Sequence, residues 1–274
     1  MDLELSGNVA VVAGAARGLG HAIAAALVAE GARVAMLDVS PDVKTAAEQL
    51  AQGSGGQTAG PSAQGWTVDV TDYAAVERVA DEIRSRFGPV EHVLFAVAIG
   101  SGKFGMPFWK LHPDDWERVL RINLLGAANV AHAFAPALAE ARRGTMLFLG
   151  SVAGQNGSQT DPPYSASKAG LINFAQCAAK DLAPYGVRVN TLNPGMVQTA
   201  LNRSVWQAWA DRQPVELRRP YEEWAAEKIR ALVPLGRWQT PEDVASMAVF
   251  LASPRAQNVT GQTINVDGGF VMHW

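Results

Sequence analysis

The sequence predicts an α/β fold: a Rossmann-type doubly wound parallel sheet of about seven strands with helices on both faces. Three observations carry that prediction. Short β-branched runs alternate with longer segments of helical period, the pattern of a parallel sheet covered by helices. The first run leads directly into a cluster of glycines and then into a helix. Neither a linker nor an internal repeat divides the 274 residues, so one domain spans 1–274.

Taken in order, the first strand is NVAVVA at 8–13, followed by AGAARGLG and the helical stretch HAIAAALVAEG. The second, RVAMLD at 33–38, ends on a carboxylate. A glycine-rich tract at 52–65 reads as a flexible surface loop before the third strand, GWTVDV at 65–70. In 72–87, Tyr73, Val76, Val79, Ala80, Ile83 and Phe87 recur at steps of three and four behind Asp72, which marks a capped amphipathic helix. Further strands follow at 91–98 (EHVLFAVA), 144–150 (GTMLFLG), 187–193 (VRVNTLN) and 262–267 (QTINVD). The helix-rich insertion at about 196–237 separates the last two and follows a strand end where ligands of such sheets lie, so it is a candidate lid.

Composition narrows the function. A hydrophobic share of 48% with 18% charged residues suits a packed soluble domain and argues against disorder. The net charge of −3 gives no electrostatic reason to expect nucleic acid or an anionic membrane as partner; a small ligand fits better. The N-terminus lacks the basic residues of a signal peptide, and no stretch reads as the ~20 apolar residues of a membrane span, so a cytoplasmic location is expected. Cys177, the one cysteine, excludes an internal disulfide or a site of several thiolates, and its small apolar neighbours predict helix packing.

Gly14, Gly18 and Gly20, with Arg17 and Leu19 between them, lie between strand and helix, where glycine lets the backbone approach a pyrophosphate and the helix end offers free N–H groups. Asp38, eighteen residues after Gly20, can accept hydrogen bonds from both ribose hydroxyls and would repel a 2′-phosphate, which favours NAD over NADP. The guanidinium of Arg17 works against that discrimination.

Ser151 closes the fifth strand, and Tyr164 and Lys168 stand four residues apart in PPYSASKAG, on one face of a helix. Together with DV at 69–70, Asn123 in RINLLG, NPGMVQT at 193–199 and TGQTINVDGG at 260–269, these elements make the chain resemble the short-chain dehydrogenase/reductase family over nearly its whole length. The resemblance implies Tyr164 as general acid/base, Lys168 on the nicotinamide ribose and lowering the phenol pKa, Ser151 on the substrate oxygen and Asn123 on a relay water. It also implies Asp69 and Val70 around the adenine, with Pro194, Gly195, Val197 and Thr199 along the nicotinamide. Two departures stand out: Ala13 replaces the usual threonine before the first glycine, and AVAI at 96–99 replaces Asn-Asn-Ala-Gly, removing polar ties between the glycine loop and the central strands.

A serine hydrolase would need a glycine two positions before Ser151, and zinc chemistry would need ligands that five scattered histidines and one cysteine do not supply. The expected activity is NAD-dependent interconversion of a small secondary alcohol, such as a sugar or polyol, with its carbonyl. A 3-oxoacyl thioester reductase of the same family is the alternative, and a non-catalytic NAD-binding sensor is the alternative from another class. Trp206, Trp209, Tyr221 and Trp224, set among arginines, suggest a lid that orders over a polar ligand. The tail, with Phe270, Val271, Met272 and Trp274, points to a homo-oligomer, expected to be a tetramer.

Overall fold

The computed structural model describes residues 2–53, 61–158 and 160–272. Seven parallel strands form one sheet: β1 (Val9–Ala13), β2 (Arg33–Asp38), β3 (Ala63–Thr67), β4 (His92–Phe95), β5 (Gly144–Leu149), β6 (Val187–Pro194) and β7 (Thr263–Val266). Their order across the sheet is β3-β2-β1-β4-β5-β6-β7. The order in which strands are added therefore reverses between β1 and β4, with Ala13 opposite Leu37 on one side and Phe95 on the other. Connections diverge at that point and leave a crevice beyond the carboxyl ends of the strands.

Alternate side chains of β1 point to opposite faces, as the pleat requires. Val9, Val11 and Ala13 join the core under α3 (Tyr73–Phe87), α5 (Gly126–Ala141) and α6 (Pro162–Leu182), with Val76, Val130 and Leu171. Ala10 and Val12 join the core under α1 (Gly18–Ala29), α2 (Asp42–Gly53) and α9 (Pro241–Ala252), with Ile23, Val43 and Val244. Each fully buried valine or leucine in these layers stabilises the fold by about 1.5–3 kcal/mol, so both layers hold the sheet rigid beneath the crevice. Asp72 caps α3 as its position predicts, its carboxylate accepting from the Ala75 N–H at 3.0 Å.

Several elements differ from the sequence expectation. The third strand begins at Ala63 and ends at Thr67, so the tract 52–65 is neither all loop nor all describable; residues 54–60 lie outside the described residues. Asp69 and Val70 consequently follow the strand instead of ending it. The fourth strand stops at Phe95, and AVAI leaves the sheet to wall the crevice. Cys177 is exposed, because the buried stripe of α6 runs through Leu171, Ala175, Ala179 and Leu182 and leaves position 177 on the other face.

One unbroken helical stretch, Pro113–Ala141, does reach the length and mean hydropathy, 1.3, of a membrane span. It comprises α4 (Pro113–Leu120), a π-helical turn (Arg121–Leu125) and α5. Val119, Val130, Phe134 and Leu138 on it are buried within the protein, so one face of the stretch belongs to the core.

Candidate active site

Gly14 turns the chain out of β1 with φ +83°, and a Cβ there would stand 2.9 Å from the backbone carbon of Ala96. No other residue fits so close a crossing. The N–H groups of Gly14 and Ala15 both donate to the Leu37 carbonyl, at 2.7 and 3.1 Å, and the Ala16 N–H donates to the Asp38 carboxylate at 3.0 Å. Main-chain bonds thus tie the glycine loop to β2 in place of the side-chain amides that the sequence lacks. Gly18, at φ +62°, has no atom within 4 Å of the position a Cβ would take, so bare backbone faces outward at the start of α1. Arg17 is exposed beside it, Leu19 is half-buried, and Gly20 packs against the Gly14 carbonyl.

No side chain caps α1. Its first N–H groups are therefore available to a diphosphate, which a helix N-terminus binds favourably. The half-buried Asp38 also accepts from the Ser40 N–H at 3.0 Å, which fixes its carboxylate at the end of β2. Bare backbone, a free helix end and a fixed carboxylate form a donor and acceptor set that fits an adenine dinucleotide. Val70 is buried against Gly126 and its carbonyl accepts from Asn129, whereas Asp69 is exposed and its side chain accepts from the Thr71 N–H.

Across the switch point, β5 delivers Ser151, and the prolines at 162 and 163 open α6 just before Tyr164. The Ser151 hydroxyl, which accepts from the Ala153 N–H at 3.1 Å, lies close enough to the Tyr164 phenol to act on its ionisation. Lys168, one helical turn on, is 1% exposed; its Nζ lies 5.6 Å from the centre of the Tyr164 ring and donates to the Leu149 carbonyl at 2.5 Å. Asn123 lies in the π-helical turn, fully buried, with its amide exchanging hydrogen bonds with the Ile99 backbone and donating to Ser167 at 3.0 Å. The fold thus sets Ser151, Tyr164 and Lys168 beside one another, with the Asn123 side chain reaching α6 through Ser167.

One electrostatic expectation is reversed. Desolvation pushes the Tyr164 phenol up to about 12, against a smaller lowering by the Ser151 hydroxyl, and the charge of Asp161 adds to the rise. Burial likewise pulls Lys168 down to about 7. The buried ammonium is itself destabilised and does not offset the desolvation of the phenol, so Tyr164 is a protonated acid at neutral pH.

At the end of β6, Pro194 is buried and Gly195 lies against Asp267; Val197 pairs with Gln239 in an isolated parallel bridge. Thr199 caps α7 (Ala200–Ala210), accepting from the Asn202 N–H at 3.3 Å. The insertion continues to α8 (Tyr221–Leu232), and its aromatic residues pack on one another: Tyr221 and Trp224 are buried against Trp206, Trp209 and Trp238. They form a small core of the insertion itself, with Arg203 stacked 4.3 Å over the Tyr221 ring. The insertion reaches the crevice wall through Arg212, which donates to the Gly105 carbonyl at 3.2 Å.

Two residues at the site were not singled out from sequence. Ser167 connects the Asn123 amide to the Tyr164 carbonyl, donating to the latter at 2.7 Å. Asp161 is a buried carboxylate three residues before Tyr164. Its place ahead of two prolines reads as an ordinary helix cap, which hid it.

Comparison with known proteins agrees with this geometry. The family described as enoyl-(acyl carrier protein) reductase matches residues 14–271. The chain is 32% identical to the 3-oxoacyl-acyl-carrier-protein reductase of Salmonella typhimurium, covering 98% of this chain and 100% of that one. It is 34% identical to sorbitol dehydrogenase of Cereibacter sphaeroides, over 97% of this chain and 98% of that one. Among solved structures, NAD+-bound xylitol dehydrogenase superposes with a TM-score of 0.87 at 27% identity, over 97% of this chain and 100% of that one. The fold of L-sorbose reductase from Gluconobacter frateurii, complexed with NADPH and L-sorbose, covers both chains fully with a TM-score of 0.88 at 24% identity. With sequence similarity running from the glycine loop to the last strand and a shared fold around it, the chain belongs to the short-chain dehydrogenase/reductase family, oxidoreductases of CH–OH groups that use a nicotinamide cofactor.

Proposed function

We propose that the protein interconverts a small secondary alcohol, a sugar or polyol, with its carbonyl, using NAD. The observation that carries the reading is the meeting of Ser151, Tyr164 and Lys168 beyond β5, across the switch point from a glycine loop tied to Asp38. When bound, the nicotinamide supplies a hydride donor or acceptor at C4. Tyr164 gives its proton to the carbonyl oxygen in reduction and takes one from the hydroxyl in oxidation, while Ser151 holds that oxygen by a hydrogen bond. Lys168, near the midpoint of its titration at neutral pH, relays the proton and binds the nicotinamide ribose. Asn123, fixed by its amide bonds to Ile99 and Ser167, holds the relay water that connects Lys168 to solvent.

The Asp38 carboxylate supports NAD over NADP, since a 2′-phosphate would face like charge. Asp69 and Val70 then flank the adenine, while Pro194, Gly195, Val197 and Thr199 line the nicotinamide. The insertion at 196–237 acts as the lid. We further propose a cytoplasmic homo-oligomer, a tetramer, with the C-terminal tail at a contact: Met272 is 73% exposed, and Phe270 and Val271 are half-buried. Trp274, assigned to the same contact, lies outside the described residues.

Kinship with an oxoacyl thioester reductase at 32% identity supports a second reading, reduction of 3-oxoacyl thioesters. A panel of polyols, sugars, hydroxy acids and oxoacyl thioesters, assayed with NAD(H) and NADP(H), separates the two. Turnover of polyols with NAD is the expected result. Activity confined to oxoacyl thioesters with NADPH would overturn the proposal.

A further inference from the structure

Asp161 occupies the N-cap position of α6 yet makes no cap hydrogen bond through its side chain. A cap there would have little to serve, because Pro162 and Pro163 have no N–H to offer. The Tyr164 N–H is near enough to lower the carboxyl pKa slightly but is not bonded as a cap. Instead the carboxylate turns away from the helix to the segment that follows β4, where its Oδ2 accepts from the Ser101 N–H at 2.9 Å.

The surroundings make room for it. A Cβ on Gly100 would lie 2.7 Å from that same oxygen and 2.8 Å from the ring of Phe104, itself buried, so the bare backbone of Gly100 leaves space for both. Immediately before it, the Thr160 carbonyl accepts from the Gly105 N–H at 2.6 Å, so residues 100–105 are held to the start of α6 at both ends. The result is a fixed carboxylate, 4% exposed, whose second oxygen, Oδ1, has no hydrogen-bond partner among the described residues. Burying a charged acceptor without a donor is costly, and burial does push its pKa up. Such a group is retained where a ligand supplies the missing donor.

We propose that Asp161 is a substrate-recognition residue whose free oxygen accepts a hydrogen bond from a second hydroxyl, on the carbon next to the one that reacts at Tyr164. Positions three apart at a helix start lie on one side of it, and the charge of Asp161 is felt at the Tyr164 phenol, so the carboxylate held by Ser101 and the phenol border one site. A vicinal diol or polyol satisfies both groups. A simple alcohol or an acyl chain leaves the carboxylate unpaired, and a site built to bond a hydroxyl rejects analogues that lack it. This inference deepens the proposed alcohol dehydrogenase reading and rests on it.

The experiment compares kcat/KM for 2,3-butanediol and 2-butanol in the parent, Asp161→Ala and Asp161→Asn proteins, with NADH binding followed by fluorescence. The parent should favour the diol, and Asp161→Ala should reduce that preference roughly tenfold to hundredfold, with turnover of the diol falling far more than that of 2-butanol and NADH affinity kept. Asp161→Asn, which retains volume and a carbonyl acceptor, should fall between. A purely structural role, through the loosened 100–105 segment, lowers both substrates together and leaves the ratio unchanged; that result overturns the recognition role. A parent protein that oxidises neither alcohol and reduces only oxoacyl thioesters overturns the functional reading and this inference with it. A diol-active parent whose preference survives Asp161→Ala overturns the inference alone.

Discussion

The two ends of the sheet both bury ionisable groups, to opposite effect. Where the strands begin, His92 is almost wholly buried, but both ring nitrogens are bonded, Nε2 to the Asn8 amide at 3.0 Å and Nδ1 to the Thr145 hydroxyl at 2.9 Å. Beside it Glu91 accepts from the Val9 N–H at 2.7 Å and from Arg143 at 2.9 Å, and Arg188 donates to the carbonyls of Ala252 and Ser253. Where the strands end, the Asp161 Oδ1 and both amide atoms of Asn193 have no partner, and Lys168 donates to one carbonyl within the described residues. Polar burial at the first end is closed on itself save for the Nε of Arg33, and it serves the fold. At the second it is left open, which costs stability and prepares the protein to bind.

The largest effect should come from breaking the open end at its centre. Tyr164→Phe removes the proton carrier and spares the backbone, so turnover should fall by roughly 10²–10⁴ or more, the range of general acid–base contributions. NADH should still bind, because the glycine loop and Asp38 are untouched. A steady-state assay paired with NADH fluorescence checks both parts, and near-parental turnover would remove Tyr164 from the mechanism.

Lys168→Met sharpens the contrast because it should move stability and activity in opposite directions. The folded-state pKa of Lys168, about 7, lies below the ordinary lysine value of 10.5, so between those pH values the unfolded chain binds more protons. The lysine's cost to folding is therefore fully present below about pH 7 and fades as pH rises toward 10.5. Replacing it with an apolar side chain should stabilise the protein at neutral pH by a few kcal/mol while turnover is lost. Chemical denaturation at pH 7 and pH 10 reads the difference; a variant less stable than the parent at pH 7 would show that the ammonium is well compensated after all.

How much of this was legible in the sequence follows from the same contrast. The strands and the amphipathic helix behind Asp72 could be read because hydrophobic period and caps are local signals. Asn123, Ser151, Tyr164 and Lys168 could be named because they sit in a spaced pattern, and the fold gathers them. Asp161 gives no such signal, because a carboxylate before a proline looks like a cap, and its turn toward Ser101 is set by the tertiary fold. The shift of Lys168 and Tyr164 was misjudged because desolvation depends on everything packed around a group, not on which residue stands four positions away. Cys177 was placed inside because its neighbours in sequence are small and apolar, whereas helix phase decides its face. The aromatic residues of the insertion are legible as a cluster suited to packing inward, and Tyr221 and Trp224 are buried against their aromatic neighbours.

Asp38 lies at the open end, on the cofactor side, and a smaller effect is expected there. Asp38→Ser removes the like charge that would face a 2′-phosphate and also frees the Ala16 N–H, with Arg17 exposed close by in the chain. The ratio of kcat/KM for NAD over NADP should drop by roughly tenfold to hundredfold, on the scale of one to three kcal/mol for a charged hydrogen bond. A parent protein that already prefers NADP would mean that Arg17 outweighs the carboxylate.

The smallest effect at neutral pH should come from the closed end, and it is the one that tests whether that end is structural only. Burial lowers His92 from the ordinary 6.5 to about 4, aided by the nearby charges of Arg188 and Arg143, so the ring is neutral at pH 7 and donates and accepts one hydrogen bond each. His92→Gln keeps a donor and an acceptor in a side chain of similar reach, and should cost only about 1 kcal/mol at pH 7, the value of one imperfect hydrogen bond. As pH falls from 6.5 toward 4 the unfolded histidine takes up a proton that the folded one refuses. The parent therefore loses stability through that window, and the glutamine variant, which cannot titrate, escapes this part of the loss. Urea unfolding at pH 7, 5.5 and 4.5 should show the two curves converging or crossing on the acid side, with turnover at pH 7 unchanged within twofold. Parallel curves would assign the acid sensitivity to other groups, and a large fall in turnover would join the two ends of the sheet that the structure keeps apart.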